Sequence, residues 1–300
     1  MRHASASERT DRRITWVIKA AGYSSIFFIT LILIFLMREG LPALANVPLG
    51  DLFSTIWYPT EEYFGLLPLI LGSLLVTIIA TLVALPFGLC TAIFLSEVAP
   101  RWVREILKPL VEILAGLPSV VLGFIGILVL VPMLRRALGL ATGLTAFTGA
   151  VLLGFIAIPT IVSIAEDALN SVPQGYRQAA LAVGATRWQT IIGVTLPAAR
   201  SGVLTAIMLG VGRALGETMA VMMVTGNAPV IPNLPAGIFL PVRTMTATIA
   251  SEMGEVANGS EHYQVLFFIG IILFLFSLAI NLTASWVSFR RAKRSERVLS

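Results

Sequence analysis

Six long apolar runs dominate the chain and limit the folds that are open to it. They cover residues 16–37, 66–96, 111–134, 147–164, 203–226 and 265–289. A helix needs about 20 apolar residues to cross the hydrocarbon core of a bilayer, and a lone strand could not satisfy its backbone there. With 57% hydrophobic and 12% charged residues, the chain also lacks the polar surface of a soluble domain. The sequence therefore predicts an all-α integral membrane protein with six transmembrane helices, kinked at Pro86 and Pro118.

The basic residues that flank these runs are distributed unevenly. Sixteen lie on the side that holds both termini, and four lie on the other side, namely Arg38, Arg135, Arg136 and Arg243. Because cytoplasmic loops carry the excess of Lys and Arg, both termini are predicted to face the cytoplasm. The chain then divides into an N-terminal segment 1–15, a permease-like transmembrane domain 16–289 and a basic tail 290–300. This topology accounts for the formal charge of +5, so the charge does not indicate a nucleic-acid partner. Membrane lipid is expected around the chain.

Signatures of enzymatic or metal chemistry are missing from the sequence. There is no Gly-x4-Gly-Lys-Ser/Thr ATP-binding motif, and the single cysteine, Cys90, has no partner for a disulfide or a metal site. We therefore expect no cofactor, no metal and no catalytic residue. No cleavage pattern follows Met37, so the first run is expected to be an uncleaved span.

A structured hairpin is predicted between the fourth and fifth runs, at about residues 167–200 on the cytoplasmic side. Pro173 can begin a helix that Gly184 ends. A second helical piece, residues 186–195, is expected to stop at Leu196-Pro197. Such a hairpin offers a docking surface for a cytoplasmic partner, and a solvated loop is the simpler alternative.

Two charged residues fall inside the fifth run. Arg213 and Glu217 are four residues apart, which places them on one face of a continuous helix. Each charge costs about 2.5–3.5 kcal/mol at the centre of a membrane helix, so neither is expected to face lipid. A polar pathway is one interpretation, and an ion pair that locks neighbouring helices is the other. The small residues Gly210, Gly212 and Gly216 favour close helix packing beside the pair.

The hairpin resembles the cytoplasmic EAA motif of ABC-importer permeases, Glu-Ala-Ala-x3-Gly-x9-Ile-x-Leu-Pro. The matching positions are Gln178, Ala179, Ala180, Gly184, Val194, Leu196 and Pro197. Two of them depart from the pattern, because Gln178 replaces the Glu and Val194 replaces the Ile. The resemblance implies that the hairpin couples the chain to an ATPase, without the charge that Glu would supply.

The fifth run is similar to the phosphate-importer permeases, more narrowly to their PstC-type subunit. The segment that carries this resemblance runs from Gly212 through Arg213, Glu217 and Thr218 to Val221. It implies a type I ABC-importer permease fold in which Arg213, Glu217 and Thr218 line the substrate pathway. The partners implied are a second, PstA-type permease, a PstB-type ATPase dimer, a PstS-type extracytoplasmic phosphate-binding protein, and phosphate. ATP hydrolysis would then reside in the partner subunit.

Other transport functions stay open at this point. A permease for another oxyanion, such as sulfate or molybdate, would share the EAA motif. An ion-coupled secondary transporter could also use an intramembrane Arg and Glu, although such folds often contain internal repeats and none is visible here. A purely structural membrane subunit is the remaining alternative.

Overall fold

The computed structural model describes the backbone of residues 4–299 and the side chains of residues 14–283. Its α-helices are α1 (Ala4–Gly40), α2 (Ala43–Asn46), α3 (Leu49–Leu52), α4 (Leu67–Ile93), α5 (Arg101–Gly116), α6 (Ser119–Ile125), α7 (Val131–Leu138), α8 (Ala146–Asn170), α9 (Gln174–Ala182), α10 (Arg187–Thr190), α11 (Leu196–Gly216), α12 (Met219–Val224), α13 (Met245–Glu252) and α14 (Glu261–Leu299). Wider π-helical turns occupy Phe94–Val98, Gly126–Leu130 and Ile191–Thr195, and 3₁₀ turns occupy Pro59–Glu61 and Ala236–Phe239. The short strands β1 (Trp57–Tyr58) and β2 (Tyr63–Phe64) pair antiparallel.

Six helical segments of the described chain are long and apolar enough to cross a membrane, as predicted. They are Ile14–Asn46, Leu67–Val98, Ser119–Leu138, Ala146–Asn170, Arg187–Gly216 and Glu261–Thr283. The predicted all-α membrane fold is therefore confirmed. The orientation of the termini stays a prediction, and the tail 290–300 lies outside the residues whose side chains are described.

The third span differs from its prediction. The sequence predicted one kinked helix over residues 111–134, whereas the backbone is extended at Leu117 and Pro118, with ψ angles of 134° and 130°. A residue before proline is disfavoured in the helical conformation, so α5 ends at Gly116 and a new helix begins at Ser119. Pro86, in contrast, lies inside the uninterrupted helix α4.

The fifth span is also displaced, because it begins sixteen residues earlier than predicted and ends ten residues earlier. The expected stop at Leu196-Pro197 is wrong. A π-turn precedes these residues, in which the amide of Leu196 bonds to the carbonyl of Ile191. This wider turn shifts the hydrogen-bond ladder just before Pro197, so the missing N–H of the proline is tolerated at the start of α11.

The helices α4, α8 and α11 form the centre of the bundle. A Cβ atom added at Gly88 on α4 would lie 2.8 Å from Ile161 on α8, and one added at Gly210 on α11 would lie 2.5 Å from the same side chain. Both glycines therefore let a neighbouring helix approach closely. By contrast, α1 packs on α14, where the rings of Phe35 and Phe267 are 5.5 Å apart, and most of its other side chains are exposed.

At the end of the bundle opposite the α9 hairpin, Glu252 joins three segments of the chain. Its carboxylate accepts hydrogen bonds from Trp57 Nε1 (3.2 Å) and Arg243 Nη1, and it pairs with His262 Nε2 (2.9 Å). Burial raises the pKa of Glu252, but the hydrogen bonds from His262 and Trp57 and the charge of Arg243 outweigh it and lower the pKa below the usual value. The carboxylate therefore stabilises the loops between the spans in its ionised form.

Candidate functional site: the hairpin and Arg213

The predicted hairpin is present, and local signals account for its shape. Helix α9 ends at Ala182, and Gly184 follows with a φ of +87°, a left-handed conformation that glycine adopts readily. Two backbone hydrogen bonds close the turn, from Gly184 N to Leu181 O (3.0 Å) and from Ala185 N to Ala180 O (3.1 Å). The next helix starts with a reciprocal capping box between Thr186 and Gln189. The turn is thus specified by the sequence on both sides of Gly184.

Most residues predicted to contact an ATPase lie on the surface of this hairpin. Gln178, Ala179, Gly184 and Pro197 are exposed, while Ala180 and Leu196 are half-buried. A Cβ added at Gly184 would meet nothing within 4 Å. The surface is therefore open to a partner, and its coupling role stays a prediction.

An ion pair that the sequence analysis missed fixes the hairpin to the second span. Arg177 on α9 donates from Nη2 to Glu97 Oε1 at 2.7 Å, and the two side chains are 13% and 10% exposed. The same guanidinium donates to the carbonyls of Val172 (2.5 Å) and Leu169 (2.8 Å) at the end of α8. Because Arg177 and Glu97 are 80 residues apart, no local sequence signal could have paired them.

A second polar link joins α5 to the end of α8. Lys108 donates to Glu166 Oε2 at 2.6 Å and lies 3.4 Å from Asp167 Oδ1. Glu166 is only 3% exposed, and its other oxygen accepts from Asn170 Nδ2 at 2.8 Å. The hydrogen bond to Glu166 raises the pKa of Lys108, although burial opposes it. The buried carboxylate therefore has partners for both oxygens.

Arg213 lies in the last turn of α11 and points to neutral oxygens. Nη1 donates to Thr160 Oγ1 on α8 at 2.8 Å, and Nη2 donates to the carbonyl of Ala115 at the end of α5 at 3.0 Å. None of the ion pairs formed by the described residues includes Arg213. The half-buried guanidinium therefore has no carboxylate within salt-bridge distance among the described residues.

The expected pairing of Arg213 with Glu217 on one helix face is wrong. Helix α11 ends at Gly216, and Glu217 has an extended backbone with a ψ of 130°. Its Oε1 accepts from the amides of Thr218 (3.1 Å) and Ala220 (3.4 Å), so it holds the first turn of α12. Its carbonyl accepts from Thr246 Oγ1 at 3.1 Å. These contacts stabilise a break that the sequence pattern did not reveal.

Thr218 and the three glycines of this region differ in their surroundings. Thr218 Oγ1 donates to the carbonyl of Gly216 at 3.3 Å. Gly210 packs against α8, as described above, whereas a Cβ at Gly212 or Gly216 would meet nothing within 4 Å. The close helix packing predicted at Gly212 and Gly216 is therefore not formed within the described part of the chain.

Comparison with known proteins places this architecture in a family. Residues 84–293 match the family of binding-protein-dependent transport system inner membrane components. The chain belongs to this family. It is 42% identical to the "Probable ABC transporter permease protein YqgH" of Bacillus subtilis (strain 168), over 87% of this chain and 85% of the relative. It is 35% identical to the phosphate transport system permease protein PstC of Mesorhizobium japonicum, over 83% of this chain and 80% of the relative.

Solved structures of this permease family share the fold at low sequence identity. A bacterial alginate ABC transporter in complex with an alginate-bound periplasmic protein aligns with a TM-score of 0.62 and 19% identity, over 95% of this chain and 98% of that chain. The inward-facing MetNI methionine ABC transporter aligns with a TM-score of 0.58 and 20% identity, over 78% and 99% of the two chains. The fold is therefore that of a type I ABC-importer permease.

Membership in the family sets the cellular context. A binding-protein-dependent permease is a multi-pass inner-membrane protein. It is a transporter subunit, and it works with ATP-hydrolysing and substrate-binding partner proteins. Among the described residues, no group of three His, Cys, Asp or Glu side chains could hold a metal ion.

Proposed function

We propose that this chain is the PstC-type permease subunit of an ATP-driven phosphate importer. It forms the translocation pathway with a PstA-type permease, receives phosphate from a PstS-type binding protein, and couples through the α9 hairpin to a PstB-type ATPase dimer. Relatives named as phosphate permeases support the substrate, at 31–35% identity over most of the chain.

The observation that carries the proposal is the set of hydrogen-bond partners of Arg213. Its guanidinium lies within the fifth spanning helix and bonds only neutral oxygens, on Thr160 and Ala115, among the described residues. An uncompensated cation in a spanning segment is costly, and an anionic substrate would neutralise it during passage. The planar donors of arginine can meet two phosphate oxygens at once, which the ammonium of lysine cannot do.

Glu217 provides a route to selectivity at the same helix end. Its Oε1 is occupied by the α12 amides, whereas Oε2 accepts no hydrogen bond from the described residues. Phosphate near neutral pH still carries a proton and can donate to this oxygen, but fully ionised sulfate has no proton to donate. A buried acceptor left unpaired costs about 1–3 kcal/mol, so removal of water from this oxygen as the substrate passes would favour phosphate.

The test is uptake by the four-component transporter reconstituted in proteoliposomes. The wild type should import phosphate with ATP and be inhibited by vanadate. Arg213→Lys should lose most uptake and Arg213→Gln nearly all, because the bidentate donors and then the charge are removed. Arg135→Gln is the control, since Arg135 is an exposed arginine on α7, and it should transport normally.

Two results would contradict the proposal. If the wild-type complex imports sulfate or molybdate in preference to phosphate, the substrate assignment is wrong and the oxyanion alternative holds. If Arg213→Gln assembles and transports at the wild-type rate, Arg213 serves packing and does not contact the anion.

A further inference from the structure

We propose that helix α5 is a mechanical link between the α9 hairpin and Arg213, with Lys108 and Glu166 as the positioning residues that hold it. Movement of the hairpin would then change the environment of the guanidinium. This inference rests on the proposed function, because it assigns a regulated contact to the anion-binding arginine.

The first part of the link ties the hairpin to the end of the second span. The Arg177 guanidinium is bound to Glu97 and to two carbonyls at the end of α8. Since one planar group satisfies three acceptors from two segments, α9 cannot move far without moving Glu97 or breaking buried hydrogen bonds.

The second part runs from Glu97 to α5 through short polar contacts. Ser96 Oγ lies 3.4 Å from Glu97 Oε1 and 2.9 Å from Asn170 Oδ1. Asn170 bonds Glu166, which accepts from Lys108 on α5. Arg104, one turn earlier on α5, donates to the carbonyls of Leu95 (2.7 Å) and Ser96 (2.8 Å). Helix α5 is therefore attached to the same cluster that holds the hairpin.

Helix α5 is continuous from Arg101 to Gly116, although Pro109 lies inside it and removes one backbone hydrogen bond. None of its residues is buried in the described chain, and polar contacts of Arg104 and Lys108 attach it to the second span and to α8. Pro100 and Leu117 flank it with extended backbone, at ψ angles of 157° and 134°, and rotation about these two residues would tilt the helix. Lys108 and Ala115 are seven residues apart, about 10 Å along the helix axis.

The third part is the contact between the end of α5 and Arg213. The carbonyl of Ala115 is in the last turn of α5, where carbonyls lack partners inside the helix, and it accepts from Arg213 Nη2 at 3.0 Å. If α5 withdraws, this donor loses its acceptor and becomes available to an anion. Because an unpaired donor on the half-buried guanidinium is unfavourable, the position of α5 and the binding of the anion are thermodynamically coupled.

Spin-label distances in the assembled transporter test the link directly. With Cys90 replaced by serine, labels are placed at Ile113 on α5 and Phe155 on α8, both of which are exposed. The mean distance should shift between the ATP-free and the vanadate-trapped wild type. It should not shift in Lys108→Met or Glu166→Gln, and anion import per ATP hydrolysed should fall about fivefold or more in both. Lys108→Arg keeps the charge and should keep the shift.

Arg101→Gln is the matched control on the same helix. Arg101 is 92% exposed and pairs only with Glu105 among the described residues, so the shift and the import ratio should equal those of the wild type. If Lys108→Met fails to assemble, Glu166→Gln decides the matter, because it preserves the shape of the buried side chain.

The inference is overturned if the wild type shows no shift, or if the shift and the import ratio persist in the assembled Lys108 or Glu166 variants. A wild type that shows the shift but imports no phosphate refutes the proposed substrate and supports the link. The two failures are thus distinguished by separate readouts.

Discussion

Removing the carboxylate of Glu97 should detach the α9 hairpin from the second span. In Glu97→Gln, Arg177 stays buried and keeps its two carbonyl acceptors, but it loses the negative charge that faces it. Breaking a buried ion pair by removing one partner costs about 3–5 kcal/mol. Because the remaining acceptors and the new amide oxygen offset part of this, we expect about 2–3 kcal/mol. Opening of the hairpin should therefore become about 30- to 150-fold more populated.

Hydrogen-exchange mass spectrometry of the permease in nanodiscs measures this opening. Amides of Gln174–Ala182 should exchange faster in Glu97→Gln by the stated factor, without any ATPase present. The control is Glu105→Gln, which breaks the exposed pair with Arg101 and should change exchange little, since such pairs contribute about 0–1 kcal/mol. If the α9 amides of Glu97→Gln exchange as slowly as those of the wild type, this ion pair does not hold the hairpin.

Three further predictions concern the turn, the topology and the opposite end of the bundle. Gly184→Trp should assemble but lose import per ATP hydrolysed, because its side chain blocks an open surface, whereas Gly184→Asn should retain import, because asparagine tolerates the left-handed conformation. If the ratio of import to ATP hydrolysis is the same in both variants, a partner does not dock at this turn. Cysteines that replace Ser54 and Ser260, in a background without Cys90, should react with an impermeant thiol reagent added outside the cell, and a cysteine that replaces Ser295 should not. The reverse labelling pattern would show that the predicted orientation is inverted. Since the pKa of Glu252 is lowered in the folded protein, its ionised form stabilises the fold at neutral pH, and this contribution disappears as the pH falls through the lowered pKa. The thermal unfolding temperatures of wild type and Glu252→Gln should therefore differ at pH 7 and converge in acid, and a difference that stays constant with pH would contradict this.

The sequence was most informative where local chemistry decides the structure. Pro173 and Gly184 predicted the bounds of α9 because helix starts and left-handed turns depend on nearby residues. Apolar run length likewise predicted six spans. The break at Glu217 escaped prediction in part because a contact from Thr246, 29 residues away, helps to stabilise it beside the local bonds from Thr218 and Ala220. The Arg177–Glu97 pair escaped for the same reason, since only the packing of spans brings these residues together.

The break after Gly216 also changes what Arg213 can do. A carboxylate one turn away would neutralise the guanidinium and compete with any anion. Instead, Arg213 lies in the last turn of α11 and bonds the last turn of α5. Two helix C-termini, each equivalent to about half a negative charge, stabilise the cation without supplying a full counter-ion. If Arg213 binds the anion as we propose, an incoming dianion has to displace only these partial charges and not a paired glutamate, so the helix break suits the proposed role better than the predicted pair would.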